Sequence, residues 1–260
     1  MSLNKYIAER KTALKDSPRS ALIMTHVVCG YPSFEDNWKE LEIMADFGVD
    51  LVELQFPFSE PSADGPLFVK ANQEAITSGV HVADCFEFMQ RVTAKFPFKV
   101  VMMGYYNTVF KTGHRPFLER LKDAGGEAFI LPDLPIEEAK ELHDIARELD
   151  LSPIILMTPT NSSERLKFLA AAADGFIYTV ARKGVTGSST NMNEEVADFI
   201  QRCRKFTDLP LAVGFGVSNK DDIEFINQHA DIAVIGTAAL KAWEENKQQG
   251  LTDFFNSLFD

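Results

Sequence analysis

Leu51-Val-Glu-Leu-Gln-Phe-Pro-Phe-Ser-Glu-Pro-Ser-Ala-Asp-Gly-Pro66 is a strand that runs into a stiff loop. Leu51 to Phe56 is apolar and suited to a pleated surface, so it predicts a buried strand. Pro57 and Pro61 have no N–H to give a sheet ladder, so pairing ends and a loop begins. One acid, Glu53, sits inside the strand; a second, Asp64, rides on the loop in Ala63-Asp-Gly-Pro66. Two carboxyl groups so placed can flank one small molecule. Each also has an ordinary explanation, because strand acids commonly pair with Lys or Arg and Asp before Gly-Pro is a turn former. A buried acid with neither excuse is a functional candidate.

Working outward from this stretch, the same unit recurs along the chain. Short apolar runs at Ala21–Val28, Leu51–Phe56, Lys99–Met103, Ala128–Leu131, Pro153–Met157, Gly175–Val180, Leu211–Phe215 and Asp231–Ile235 predict eight strands. Helical spacing follows each one: Phe34–Phe47 behind Ser33, Leu67–Thr77, Val82–Lys95, Pro116–Ala124, Ile136–Leu149, a helix opening at Ser162 or Ser163, Glu194–Lys205, Asp221–Gln228, Ala238–Lys247 and Leu251–Phe259. Strict alternation argues a parallel sheet, and eight units in this length argue an α/β (β/α)8 barrel, the TIM barrel, as one domain over residues 1–260. An extra N-terminal helix, Asn4–Leu14, precedes the first strand. A doubly wound open sheet is the rival, but the G-x-G-x-x-G turn after strand one is missing.

The 260 residues, 45% hydrophobic and 25% charged, describe an ordinary globule able to bury a full core. The net charge of −12 disfavours nucleic acid, whose phosphates demand a basic face. A small anion remains open, since backbone N–H groups bind phosphate without Lys or Arg. Cys29, Cys85 and Cys203 show neither disulfide-framework nor zinc spacing. No run is long enough to span a bilayer and the N-terminus lacks an apolar signal core, so a cytoplasmic setting without membrane contact is expected.

In a (β/α)8 barrel the site lies at the carboxyl ends of the strands. That rule gathers Glu53, Asp64, Tyr105, Asp133 and Tyr178 around one mouth. Gly184-Val-Thr-Gly187, Gly214-Phe-Gly216 and Gly236-Thr237 follow strands six, seven and eight in succession, matching the common barrel phosphate cradle.

Gly30-Tyr-Pro32, Pro57-Phe-Ser-Glu-Pro-Ser-Ala-Asp-Gly-Pro66, Pro132-Asp-Leu-Pro135, Arg182-Lys-Gly-Val-Thr-Gly187 and Gly214-Phe-Gly216 together resemble the tryptophan synthase alpha subunit, from about residue 5 to about 247. The resemblance implies a lyase that splits indole-3-glycerol phosphate into indole and glyceraldehyde 3-phosphate in tryptophan biosynthesis. It implies Glu53 as general acid/base, Asp64 as second carboxylate, Tyr178 near the acid and Tyr105 in the substrate pocket. Gly187, Gly216, Gly236 and Thr237 fall on its phosphate loops. It also implies a beta subunit as partner in an α2β2 assembly, with pyridoxal phosphate in that partner and no cofactor or metal in this chain.

The chain departs from that pattern at Gln55, where the family usually has Gly, and at His26, usually an apolar aromatic. Glu60 stands for the usual Asp, and Ser62 for Leu. Gln55 either refills the barrel interior or touches ligand, and His26 is either a hydrogen-bonded core residue or a ligand contact. Two rival functions are kept: an isomerase or aldolase acting on another phosphosugar, and a barrel that chiefly binds and activates a beta subunit.

Overall fold

A computed structural model of the protein describes residues 3–15, 17, 19–180, 194–214 and 216–259. Its strands are β1 (Leu22–Val28), β2 (Leu51–Gln55), β3 (Lys99–Met103), β4 (Ala128–Ile130), β5 (Ser152–Met157), β6 (Ile177–Val180), β7 (Leu211–Gly214) and β8 (Ile232–Ile235). Each pairs in parallel with its neighbour in sequence, and β8 pairs with β1, closing the barrel. Around it run α1 (Leu3–Leu14), α2 (Phe34–Asp46), α3 (Pro66–Thr77), α4 (Val82–Lys95), α5 (Tyr106–Thr112) and α6 (His114–Asp123). They are followed by α7 (Lys140–Glu148), α8 (Ser163–Ala172), α9 (Glu194–Arg204), α10 (Lys220–His229) and α11 (Thr237–Phe259).

Alternate residues of each strand face opposite sides, and both sides are dry. Leu22, Met24, Leu51, Val101, Met103, Ala128, Ile130, Ile154, Ala212, Ile232 and Val234 fill the barrel interior. Ile23, Val52, Leu54, Val100, Phe129, Ile177, Val213 and Ala233 face outward and are covered by the helices. Each Val, Leu, Ile, Met or Phe among them is worth roughly 1.5–3 kcal/mol on full burial, and the alanines less. Hence the strands look like unbroken apolar runs in sequence, as parallel strands covered on both faces must.

The N-terminal end of the barrel is stoppered by α1, whose Leu3 and Ile7 join the interior cluster. Buried Asp50 anchors this helix, taking hydrogen bonds from Arg10 Nε at 2.7 Å, Arg19 Nη2 at 3.4 Å and the Ile23 N–H at 2.9 Å. Asp231 plays the same part across the barrel, paired with Lys11 and Arg204. With one end plugged, ligand access is left to the carboxyl ends.

The helix boundaries differ from expectation in three places. Helix α5 occupies a stretch expected as loop, and α6 begins at His114 rather than Pro116. The expected helix Ile136–Leu149 is a 3-10 turn, Ile136–Glu138, followed by α7. The last two helical stretches form one run broken by non-helical Asn246 and Lys247. Ser33 and Ser162 act as N-caps, accepting from the N–H groups of Asp36 and Arg165.

Candidate active site

Register creates the site. In the β1–β2 pair, His26 stands opposite Glu53, one pleat above the apolar Met24 and Leu51. Two more residues up β2, Gln55 faces the same way, and the loop after β2 brings Asp64 back over it. The side chains join into one hydrogen-bonded chain. His26 Nδ1 lies 2.8 Å from Glu53 Oε2, and Nε2 lies 2.8 Å from Gln55 Oε1. Gln55 Nε2 donates to Asp64 Oδ2 at 2.6 Å, and the Tyr105 hydroxyl donates to the same oxygen at 3.3 Å. That hydroxyl accepts the Ala63 N–H at 3.1 Å, which ties the loop to the strand.

Electrostatics follow from this packing. Burial works against charge on His26, but the hydrogen bond and charge of Glu53, with the charge of Asp64, outweigh it and raise its pKa. Burial raises the Asp64 carboxyl above its usual range despite the opposing His26 charge and the hydrogen bonds from Gln55 and Tyr105. Burial and the charges of Glu53 and Asp64 hold the Tyr178 phenol neutral, well above its ordinary value.

Above these groups opens a cavity of about 310 Å³. Glu53, Asp64, His26 and Tyr178 line one side; Phe68, Met103, Ile130, Leu156 and Val234 make its walls apolar. The opposite side is formed by Gly216, Val217, Ser218, Gly236, Thr237 and Lys241. Gly216 holds φ +96°, a conformation open to glycine at little cost. Thr237 starts α11, so unpaired N–H groups and the positive helix end face the cavity there. Gly214 serves differently: a Cβ on it would sit 2.3 Å from the Tyr178 ring, so only glycine leaves room for that ring. The cavity therefore has an acid end, an anion-ready end and apolar walls between, which suits an aromatic molecule carrying a phosphate.

Of the residues expected at the site, Glu53, Asp64, Tyr178, Gly216, Gly236 and Thr237 line this cavity. Tyr105 stands behind Asp64, buried and stacked on Phe58 with ring centres 4.9 Å apart, and supports the acid rather than lining the cavity. Asp133 is turned away, accepting the Tyr106 N–H at the start of α5. Gly187 and the rest of its loop lie outside the described residues. Sequence reasoning missed Lys241, one turn into α11, and Phe68, which packs on the His26 ring at 4.4 Å between centres. A cation one helical turn beyond a Gly-Thr anion site was a signal for Lys241. His26 is at once a cavity wall and a hydrogen-bonded core residue, whereas Gln55 fills the interior without lining the cavity. Among the described residues, no group of three or more His, Cys, Asp or Glu could hold a metal ion. No helix among them is long and apolar enough to cross a membrane.

Comparison with known proteins is consistent in all directions. The family model for the tryptophan synthase alpha chain matches residues 12–256. The tryptophan synthase alpha chain of Desulforapulum autotrophicum is 46% identical over 256 residues, covering 98% of this chain and 99% of that one. That of Desulfotalea psychrophila is 44% identical over 258 residues, covering 99% and 100%. Among solved structures, Mycobacterium tuberculosis tryptophan synthase superposes with a TM-score of 0.88 at 28% identity, covering 97% of this chain and 96% of that one. The tryptophan synthase α2β2 complex of Pyrococcus furiosus gives 0.84 at 28%, covering 92% and 97%.

Proposed function

The chain belongs to the tryptophan synthase alpha chain family, and we propose that it performs the family's lyase reaction with Glu53 and Asp64 as the acting carboxyl groups. The reaction cleaves indole-3-glycerol phosphate to indole and glyceraldehyde 3-phosphate. Retro-aldol cleavage needs a proton placed on the indole ring carbon that will leave and a proton removed from the neighbouring hydroxyl. Glu53 is positioned to give the first and take the second, a role worth ~10²–10⁴-fold. Protonating the ring carbon puts positive charge on the indole N–H. An anionic Asp64 accepting that N–H stabilises the charge as it develops.

Tyr178, a neutral phenol over the acids, bounds the indole from above, while Phe68, Leu156 and Val234 give the ring an apolar bed. The phosphate is assigned to the Gly216, Gly236 and Thr237 end, where Lys241 is the lysine that lines the cavity among the described residues. Binding energy there orients the distant reacting bond, and truncated substrates would forfeit it.

The partner is the tryptophan synthase beta subunit, which consumes the indole. We infer from membership of the family that pyridoxal phosphate belongs to that subunit and not to this chain.

The observation that carries the reading is the meeting of two buried acids, 2% and 7% exposed, at the wall of one cavity whose far end is built for an anion. The test is steady-state indole release from indole-3-glycerol phosphate, with and without the beta subunit, beside Glu53→Gln. Indole release that the partner raises and that the substitution lowers by at least ~10²-fold is expected. No indole from the folded chain under either condition would overturn it.

A further inference from the structure

The Glu53 carboxylate does not stand alone at the cavity wall. Among the described residues, the only hydrogen-bonding partner of Glu53's side chain is His26, which meets Oε2 and leaves Oε1 for the cavity. The polarity of the chain can be followed from its far end. Asp64 Oδ2 receives both the Tyr105 hydroxyl and Gln55 Nε2, so the Gln55 amide is turned with its NH2 toward Asp64. Its carbonyl Oε1 then faces His26 Nε2, which must donate. Nδ1 faces a carboxylate oxygen and must donate as well. Both ring nitrogens carrying a proton make an imidazolium, wedged between the acids and covered by Phe68.

Resting on the lyase reading, we propose that His26 and Gln55 are positioning residues for the cleavage: His26 shares the working proton of Glu53, and Gln55 transmits its hold to Asp64. At rest the pair is His26-H⁺ beside Glu53 carboxylate. The proton passes from Nδ1 to Oε2, and Glu53 delivers it to the indole ring carbon. Glu53 then takes the hydroxyl proton as the carbon–carbon bond breaks, its electron pair returning to the ring while the hydroxyl carbon becomes the aldehyde. The regained proton returns to Nδ1, so the pair ends as it began. Meanwhile Gln55, donating to Asp64, keeps that carboxylate aimed where the indole N–H arrives.

Among the described residues, the charged and titratable groups that share the cavity with His26 are few. Glu53 comes from β2, Asp64 from the loop after it, Tyr178 from β6 and Lys241 from α11. The two acids favour the imidazolium and burial opposes it, with a net rise. The imidazolium thus keeps its proton to higher pH than a free imidazole, whose ordinary value is about 6.5.

Two measurements test this. In ring-nitrogen NMR of the full chain, with the signal assigned by its absence in His26→Gln, the His26 ring should remain doubly protonated above the ordinary histidine value of about 6.5. A ring that is neutral at or below its ordinary value of about 6.5 overturns the proposal. In the complex with the beta subunit, kcat/KM for indole-3-glycerol phosphate should fall on the alkaline side at lower pH in His26→Gln than in the parent, by about one unit or more. The rate at pH 8 should then fall about tenfold further than at pH 6. A profile that keeps its position while dropping evenly would mean a merely structural histidine and would sink the idea. Gln55→Met keeps the volume and removes the hydrogen bonds. Its kcat should drop about tenfold, with the alkaline limb moved down less than in His26→Gln because only one of the imidazolium's acceptors is lost, and a parental kcat would remove Gln55 from the relay. Absence of indole from the parent protein would instead defeat the lyase reading itself, and the NMR result would still decide the state of His26.

Discussion

At the scale of single residues, the two acids are held in different ways and should fail in different ways. Glu53 leans on a group that exchanges protons, whereas among the described residues Asp64 is held by donors, Gln55 and Tyr105. That asymmetry fits one carboxyl that moves protons and one that supplies fixed negative charge. Asp64→Asn keeps shape and leaves an oxygen for the Gln55 amide, but it removes the anion. We expect kcat for indole release to fall by ~10²–10³-fold with KM changed far less, because the lost interaction develops only as the ring becomes charged. Steady-state kinetics decide it, and a loss confined to KM would return Asp64 to a binding role. These acids were legible in the sequence because a carboxyl inside an apolar strand and another in a Pro-bounded loop both stand out from their surroundings. The partnership of His26 and Gln55 was not. It depends on the register that puts His26 opposite Glu53, and on a loop folding back to bring Asp64 within 2.6 Å of the Gln55 amide.

At the scale of elements, the eight strands were legible because both faces of each are dry, which leaves short apolar runs separated by polar helices. The missed helix α5 shows where such reading ends. Tyr106-Asn-Thr-Val-Phe-Lys-Thr112 has aromatic and β-branched residues and no local cap. Its capping group is Asp133, 27 residues away in sequence, which takes the Tyr106 N–H at 2.9 Å. That non-local bond also explains why Asp133 is absent from the cavity. Asp50, one residue before β2, is the comparable device at the other end of the barrel. It is fully buried and binds Arg10 and Arg19, fastening α1 over the interior. Asp50→Ala leaves those guanidinium groups and the Ile23 N–H without their acceptor. The expected cost is about 3–5 kcal/mol, seen as a lowered urea midpoint together with faster hydrogen exchange in α1. A loss under ~1 kcal/mol would mean that α1 is held by Leu3, Ile7 and its other polar contacts, such as Lys11 with Asp231, and that the Asp50 carboxylate is dispensable.

At the scale of the whole molecule, groups far apart combine into one dependence of stability on pH. His143 is buried on α7 and held neutral, its pKa pushed down to about 4 chiefly by burial. The unfolded chain binds that proton first, so stability falls as pH drops from about 6.5 toward 4. Asp231, lowered by its Lys11 and Arg204 partners against the effect of burial, adds a further loss at still lower pH. Three groups act in the opposite sense, one of them Asp64, whose carboxyl burial raises in the fold so that its ionisation at rising pH costs stability. His26, raised by Glu53, stabilises the fold below its unfolded value and loses that contribution as pH rises through its folded one. Glu40 is buried on α2, and burial pushes its carboxyl up to about 8. It therefore stays protonated in the fold while the unfolded chain ionises, and stability declines between about 4.5 and 8. The His143 gain and the Glu40 loss oppose each other between about 4.5 and 6.5 and only losses remain above, so stability should peak on the acid side of neutrality. The alkaline decline can be assigned to one side chain, because Glu40 needs only an acceptor for the Asn37 amide at 3.3 Å, and glutamine supplies that without ionising. Asn37 in turn holds the turn after β1 through the Gly30 N–H and the Tyr31 carbonyl, so a change at Glu40 is felt by the whole barrel rim. Urea unfolding of the parent and of Glu40→Gln across pH 5 to 9 should give similar stability at the acid end and a gap widening to a few kcal/mol by pH 8.5, with the glutamine variant the more stable. Curves that stay parallel across that range would show that Glu40 ionises alike in both states, and would leave His26 and Asp64 as the sources of any alkaline loss.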